Sequence, residues 1–217
     1  MTLPGQHPFF AMMADYHTRL HPFPFIAFGL GFAVLMMFFS SHPKNRTISL
    51  LILAFLWAWN GLVLFTYQAA KLSPVIYAVQ GILFPIQAML LGHAACTGTL
   101  PNFSINSGGS GKAGLAIMFT ALFLYPIVGN VTGHSFPSAP VFPEPCPLTI
   151  FTFGYLLSAD ARVRPVLVLI PFLWSLMGIV AVMKLGVAAD TIEVIAGIVC
   201  SAVILKKNHK PSNVVRD

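Results

Sequence analysis

The sequence predicts an all-α protein, a polytopic transmembrane bundle of about seven helices with its N-terminus outside and its C-terminus in the cytoplasm. Of the 217 residues, 57% are hydrophobic and only 8% are charged, whereas a soluble domain carries about 25% charged residues. The apolar runs are continuous rather than alternating. Because only helices and closed barrels satisfy their backbone groups in lipid, continuous runs indicate spanning helices.

The first element, residues 1–21, is predicted to be an external amphipathic segment. Aromatic and methionine side chains alternate with polar ones along 7–20, and the segment ends at His21 and Pro22. Such a mixture is typical of a helix in the headgroup region. No basic stretch precedes an apolar core here, so no cleavable signal peptide is expected.

Apolar stretches without charge follow one another through residues 22–205. A spanning helix needs roughly 20 apolar residues. Seven stretches are candidates, and they cover 22–41, 47–68, 74–96, 113–131, 145–159, 165–183 and 189–205. The fifth has only 15 residues, so a re-entrant segment and a total of six spans remain an alternative. A basic cytoplasmic tail, 206–217, completes the chain.

The basic residues indicate the topology, because Lys and Arg accumulate in cytoplasmic loops. With seven spans and an external N-terminus, the cytoplasmic side holds Lys44, Arg46, Lys112, Arg162, Arg164, Lys206, Lys207, Lys210 and Arg216. The outside keeps Arg19, Lys71 and Lys184. Six spans in the opposite orientation give an equally uneven split. We favour seven because 145–159 is uniformly apolar between polar flanks.

Charge is missing from the interior of the predicted spans, and Glu193 is the deepest acidic residue. Ion-coupled transport is therefore disfavoured. The last span has no lysine for retinal, and only His93 lies deep enough for haem ligation. We expect no retinal, bis-histidine haem, nucleotide or nucleic-acid partner. Three cysteines without a C-x-x-C pair argue against thiol redox chemistry.

Neutral polar residues within the spans predict either a small ligand pocket or interhelical hydrogen bonds. Gln80 and Gln87 share a face of the third span, and Asn60 lies at similar depth on the second. Thr149 would frame an entrance to this interior. Interhelical hydrogen bonding, worth about 0.6 kcal/mol per contact, is the commoner role of such amides.

The outer face collects side chains that bind transition metals. His17 and His21 are spaced i, i+4, which places both imidazoles on one side of a helix. His134, Glu144 and Cys146 lie in or beside the external loop. Together they offer imidazole, carboxylate and thiolate, so zinc or copper is the candidate metal. No compact motif such as H-E-x-x-H is present, and Cys146 is also consistent with simple packing.

Several distinct short motifs are spread along the chain. They comprise Gly133-His134-Ser135-Phe136-Pro137, Pro140, Phe142, the run from Pro145 to Gly154, Phe9-Phe10, Tyr16, His21-Pro22 and Leu56-Trp57-Ala58-Trp59 before Gly61. Together they resemble the signature of a bacterial family of multi-span proteins of unknown function. The resemblance covers nearly the whole chain and implies a location in the bacterial cytoplasmic membrane. It implies no activity, cofactor or catalytic residue.

Three functions fit these features. The first, which we favour, is binding or facilitative transport of a small solute or metal ion at the outer face. The second is a non-catalytic subunit or assembly partner of a larger membrane complex, with other membrane subunits and the lipid bilayer as its partners. The third is a membrane-embedded enzyme acting on lipid or quinone, with His134 as base beside Cys146 or Glu144. Without a recognisable catalytic spacing, the enzyme is the least favoured.

Overall fold

The fold is all-α throughout residues 7–40, 42–98 and 102–209, which the computed structural model describes. The α-helices in these ranges are α1 (Pro8–Arg19), α2 (Phe23–Met37), α3 (Pro43–Trp59), α4 (Phe65–Lys71), α5 (Pro74–Thr97), α6 (Gly109–Phe119), α7 (Tyr125–Val131), α8 (Pro145–Leu157), α9 (Val166–Val180) and α10 (Asp190–His209). Three π-helical turns join α3 to α4, join α6 to α7, and extend α9; they are Asn60–Leu64, Thr120–Leu124 and Ala181–Leu185. The predicted helical bundle is confirmed.

Several of these helices are long and apolar enough to cross a bilayer, which makes this a membrane protein. Four stretches qualify: Lys44–Lys71, Pro74–Thr97, Gly109–Val131 and Val166–Leu185. The bent pair of α1 and α2 makes a fifth if it counts as one span. Of the other predicted spans, α8 has only 13 residues and α10 carries charge near both ends. The count of seven stays a prediction, and residues 41 and 210–217 lie outside the described ranges.

α1 is set off from the bundle by an 85° bend before α2. The bend occurs at Pro22, which has no backbone N–H to continue the hydrogen-bond ladder of α1. α1 begins at Pro8, and the His7 side chain caps it by accepting a hydrogen bond from the Phe9 N–H at 3.2 Å. Its buried side chains include Phe10, Met13 and Tyr16. The helix therefore lies against one end of the bundle.

α8 is the central helix, and every one of its residues except Cys146 is buried. It packs closely against α6 because Gly114 and Gly154 face each other. A Cβ atom on Gly154 would lie 2.7 Å from the Gly114 carbonyl oxygen, so neither helix could approach as closely with a larger residue. With a rise of about 1.5 Å per residue, α8 is about 20 Å long. It is thus an inner element surrounded by longer helices.

The two ends of the bundle differ in charge. At the α1 end lie α1 itself, the loop 132–144 and three basic residues, Arg19, Lys71 and Lys184. At the basic end lie Lys44, Arg46, Lys112, Arg162, Arg164, Lys206 and Lys207. α8 connects these ends, because Glu144 before it contacts α1 while the Tyr155 hydroxyl near its end donates to the Arg46 carbonyl. The two groups of basic residues defined by sequence are therefore spatially separate among the described residues.

Candidate functional site

A cavity of about 270 Å³ lies at the α1 end of the bundle. Its lining comes from α1, from α4 and the π-helical turn before it, and from the start of α5. The loop before α8, the first turn of α8, α9 with its π-helical extension, and the start of α10 complete it. We call it the α1 cavity. These segments are brought together because α1 folds across the bundle at its bend with α2. The cavity is thus a product of tertiary structure rather than of one sequence segment.

Most of the cavity wall is apolar and aromatic. Phe9 and Met13 of α1 face Phe65, Tyr77 and Trp174 from the bundle. The rings of Phe65 and Trp174 meet edge to face, with 5.4 Å between their centroids. Such a wall favours a ligand with an apolar body, because aromatic side chains offer large contact areas at defined geometry.

Polar groups interrupt this wall at a few positions. Gln68 and Gln80 contribute amides, Cys146 a thiol, and Asp190 a carboxylate. Lys184 also lines the cavity, but its side chain is exposed to solvent. Small-molecule sites typically combine apolar walls with a small number of such polar groups, which orient the ligand.

The floor of the cavity is acidic. The Cys146 sulfur and one carboxylate oxygen from each of Asp190 and Glu193 lie within 4.8 Å of one another. Asp190 is 1% exposed and Glu193 is fully buried. We call these three residues the acidic cluster. The first turns of α8 and α10 meet here, and the positive ends of two helix dipoles partly offset the negative charge.

Neighbouring side chains hold Asp190 but leave Glu193 unbonded. The Tyr125 hydroxyl donates a hydrogen bond of 2.5 Å to Asp190 Oδ1. Neither carboxylate oxygen of Glu193 has a hydrogen-bond partner among the described residues. Gly178 of α9 gives Glu193 room, since a Cβ atom there would lie 3.0 Å from Glu193 Oε2. The Cys146 thiol is a neighbouring donor, with its sulfur within 4.8 Å of a Glu193 oxygen, so Glu193 is a buried acceptor with room for a further donor or a cation.

A second buried ionisable pair lies beside the cavity, and one of its members, Glu144, belongs to the lining. His17 of α1 directs Nε2 at Glu144 Oε1, 2.7 Å away, and Nδ1 at the Pro137 carbonyl oxygen, 2.6 Å away. Glu144 Oε2 also accepts the Val141 N–H. A protonated imidazole satisfies both facing acceptors, because each ring nitrogen then donates.

The charge state of His17 follows from opposing effects. Burial of the imidazole acts to lower the pKa of His17, but the charge and hydrogen bond of Glu144 and the bond to Pro137 act to raise it. Their sum raises the pKa of His17 above its ordinary value. The pair accordingly fixes α1 to the loop before α8 as a buried salt bridge.

The five residues predicted from sequence to bind metal occupy different places. His17 and Glu144 meet as the buried pair, whereas Cys146 belongs to the acidic cluster. His134 stacks on Phe10 at 4.4 Å. His21 is exposed and packs edge to face against Phe25. Among the described residues, the one group of three metal-binding side chains is the acidic cluster.

The four residues predicted to form a pocket also separate. Gln80 lines the α1 cavity. Asn60 donates to the carbonyl oxygens of Leu56 and Pro143, and so connects α3 to the loop 132–144. Thr149 is fully buried, and its hydroxyl has no hydrogen-bond partner among the described residues. Asn60 is thus placed for packing and Gln80 for ligand contact.

Gln87 has a structural role that the sequence hints at. Its Nε2 donates to the Leu167 carbonyl oxygen at 3.0 Å. Pro171, four residues later in α9, has no N–H to bond this carbonyl. The side chain of one helix therefore satisfies a backbone group that proline leaves free in another.

Asp190 and Glu193 are not among the metal ligands chosen from the sequence, although the seven-span topology places both at the outer face. Their i, i+3 spacing, which places both on one face of α10, is the available signal. Nothing in the sequence indicates that this face meets Cys146, which lies 44 positions earlier.

Comparisons with known proteins assign a family but no activity. A search of curated proteins finds no match, and a search of solved structures finds none either. A family model does match, over residues 6–214, and its description is a family of unknown function, DUF6064. The match takes in the bundle, the α1 cavity and the acidic cluster. The chain therefore belongs to the DUF6064 family.

Proposed function

We propose that the protein binds a small solute with an apolar body and a cationic head group in the α1 cavity, at the outer face of the cytoplasmic membrane. The observation that carries this proposal is the combination of an aromatic wall with an acidic floor. Phe9, Phe65 and Trp174 would contact the body of the solute, and the Asp190 carboxylate would face its head group.

The size of the cavity supports a small organic ligand. An apolar cavity of about 150 Å³ holds benzene, and the α1 cavity has nearly twice that volume at about 270 Å³. A single aromatic or aliphatic ring with a short side chain therefore fits.

The charges around the cavity support a cationic head group. Glu144 is paired with His17, so its charge is balanced within the protein. Asp190 and Glu193 form no salt bridge with any described cationic residue, so neither carboxylate is already paired with a cation of the protein. The exposed Lys184 is screened by solvent, so it offsets this charge only weakly.

The distribution of basic residues supports the location and orientation. Cytoplasmic loops carry an excess of Lys and Arg, and seven of the ten basic residues in the described ranges lie at the basic end. We accordingly propose that the basic end faces the cytoplasm, that α1 lies at the outer surface, and that seven helices cross the membrane.

Binding of 2-phenylethylamine to the detergent-purified protein tests the proposal. The neutral analogue 2-phenylethanol and the anion phenylacetate are the comparison probes, and a chelator is present throughout. We expect the amine to bind about tenfold or more tightly than the alcohol, because a hydrogen bond to a charged group contributes about 1.5–3 kcal/mol. The anion should not bind. Isothermal titration calorimetry measures all three.

Two variants separate the head-group contact from the cavity itself. Asp190→Asn should remove the advantage of the amine over the alcohol. Ala181→Phe should fill the cavity and abolish binding of both, whereas Ala188→Phe, at an exposed position outside the lining, should leave both unchanged. Equal affinity for amine and alcohol in the wild type, or normal binding by Ala181→Phe, would refute the proposal.

A further inference from the structure

The acidic cluster has the composition of a metal site rather than of a simple charge pair. We propose that Cys146, Asp190 and Glu193 bind a divalent transition-metal ion, with zinc the best match. The ion would occupy the floor of the α1 cavity, between the first turns of α8 and α10.

The positions of the donor atoms are the first argument. One sulfur and two carboxylate oxygens lie within 4.8 Å of one another. Zinc bonds of about 2.0–2.3 Å in tetrahedral geometry place donors about 3.5 Å apart. The three side chains therefore need to close by about 1 Å around the ion, which is within reach of side-chain rotation.

Glu193 is the second and independent argument, because it points to a missing partner. Its side chain is fully buried, and both of its carboxylate oxygens lack a hydrogen bond among the described residues. An unpaired ionised carboxylate costs several kcal/mol to bury. Protonation removes the charge but still leaves polar atoms unsatisfied. A bound cation satisfies the carboxylate directly.

The donor set selects the metal. Thiolate ligands favour zinc, copper(I) and iron over magnesium and calcium, while carboxylates favour harder ions than copper(I). One thiolate with two carboxylates therefore suits zinc. The thiol would release its proton to solvent as the ion binds.

The surroundings resemble those of metal sites with an open coordination position. Cys146 and Asp190 both line the α1 cavity, so a fourth position would face the cavity and accept a water molecule. The Tyr125 hydroxyl bonds Asp190 Oδ1 from outside the cluster. Ligating carboxylates commonly have such supporting hydrogen bonds, which fix their orientation.

This inference goes beyond organic solute binding and can fail or hold separately from it. Glu193 is absent from the cavity lining and contacts no organic solute in the proposal above. Ala181→Phe tests the solute without altering any metal ligand, and the solute titrations are performed with chelator. The metal titrations contain no organic solute.

Cobalt(II) is a suitable probe, because thiolate ligation gives a sulfur-to-cobalt charge-transfer band in the near ultraviolet. The titration uses a Cys96→Ser/Cys200→Ser protein, in which Cys146 is the one remaining cysteine. We expect one equivalent of cobalt to produce the band and added zinc to bleach it. Further substitution of Cys146→Ser should abolish the band. Absence of the band in the first protein, or its persistence in the second, would overturn the proposal.

Zinc affinity, measured by competition with a chromophoric chelator, tests the carboxylates. Glu193→Gln should weaken zinc binding by about tenfold or more, whereas Asp15→Asn, a carboxylate of α1 outside the cluster, should not. Thermal unfolding shows that the variants are folded, and zinc should raise the midpoint of the wild type more than that of Glu193→Gln. Equal zinc affinity in wild type and Glu193→Gln would also refute the site.

Discussion

The buried pair between His17 and Glu144 allows a quantitative prediction about stability. Their side chains are 0% and 3% exposed, and 2.7 Å separates the interacting atoms. His17→Ala would leave the Glu144 carboxylate buried without its cation. Removing one partner of a buried pair costs about 3–5 kcal/mol. We therefore expect His17→Ala to lower the free energy of unfolding by about 4 kcal/mol.

A double-mutant cycle distinguishes the pair from simple loss of packing. Glu144→Gln also removes one charge and should destabilise the protein on its own. In the protein with both substitutions, neither charge remains buried alone, so the loss should be smaller than the sum of the two single losses. The coupling free energy should be about 1–3 kcal/mol, as is typical of residues in direct contact.

Thermal unfolding in one fixed detergent provides the assay. For a chain of this size, 1 kcal/mol corresponds to roughly 2–4 °C in the midpoint, so His17→Ala should lower it by about 10 °C. The control is the exposed pair of Asp15 and Arg19 on the same helix, where Arg19→Ala should produce little change. If the two single effects at His17 and Glu144 add to within about 0.5 kcal/mol, the ion-pair reasoning is wrong.

Three further predictions concern pH and helix packing. The pKa of His17 is raised on folding, so the protonated imidazole should stabilise the protein fully below about pH 6.5. This stabilisation should be lost as the pH rises through the pKa of His17 in the folded protein. Unfolding of wild type and His17→Ala across a range of pH tests this. Gly154→Ala should lower the unfolding midpoint because its Cβ meets a backbone oxygen, whereas Gly29→Ala, with nothing within 4 Å of the added atom, should not. Gln87→Leu should cost about 0.6–2 kcal/mol of stability. Adding Pro171→Ala should recover part of this loss, because it restores a backbone N–H that can bond the Leu167 carbonyl oxygen. Unfolding of the single and double variants measures both effects.

Much of the helical architecture could be predicted because lipid imposes a simple length rule. The apolar stretch 74–96 corresponds to Pro74–Thr97, and 145–159 corresponds to Pro145–Leu157. The segment 113–131 begins four residues earlier as Gly109–Val131, since the Gly and Ser residues before it join the helix. The position of α1 follows from His21-Pro22, where the amphipathic segment ends. Composition and proline position were sufficient for these elements.

The candidate site was less accessible to sequence reasoning, because its residues meet only in the folded bundle. Gln80, Glu144 and Cys146 were singled out and do line the cavity. How they pair was not predicted: Glu144 forms an ion pair with His17, 127 positions away, although both were expected to bind a metal, and Cys146 meets Asp190 from another helix. Assigning polar residues to the two membrane faces identifies the end of the bundle that holds the cavity. It gives no information on the distances between those residues.

Glu144 links the two buried charge systems of the α1 end. It bonds His17 on α1 and lies two residues before Cys146, so the loop that anchors α1 leads directly into the turn of α8 that carries a member of the acidic cluster. α1 in turn supplies Phe9 and Met13 to the cavity wall. Loss of the His17 contact would release both the wall and the start of α8. The pair of His17 and Glu144 therefore positions the cavity wall and the acidic cluster together. An apolar pair would cost less free energy to bury but would lack this directional contact.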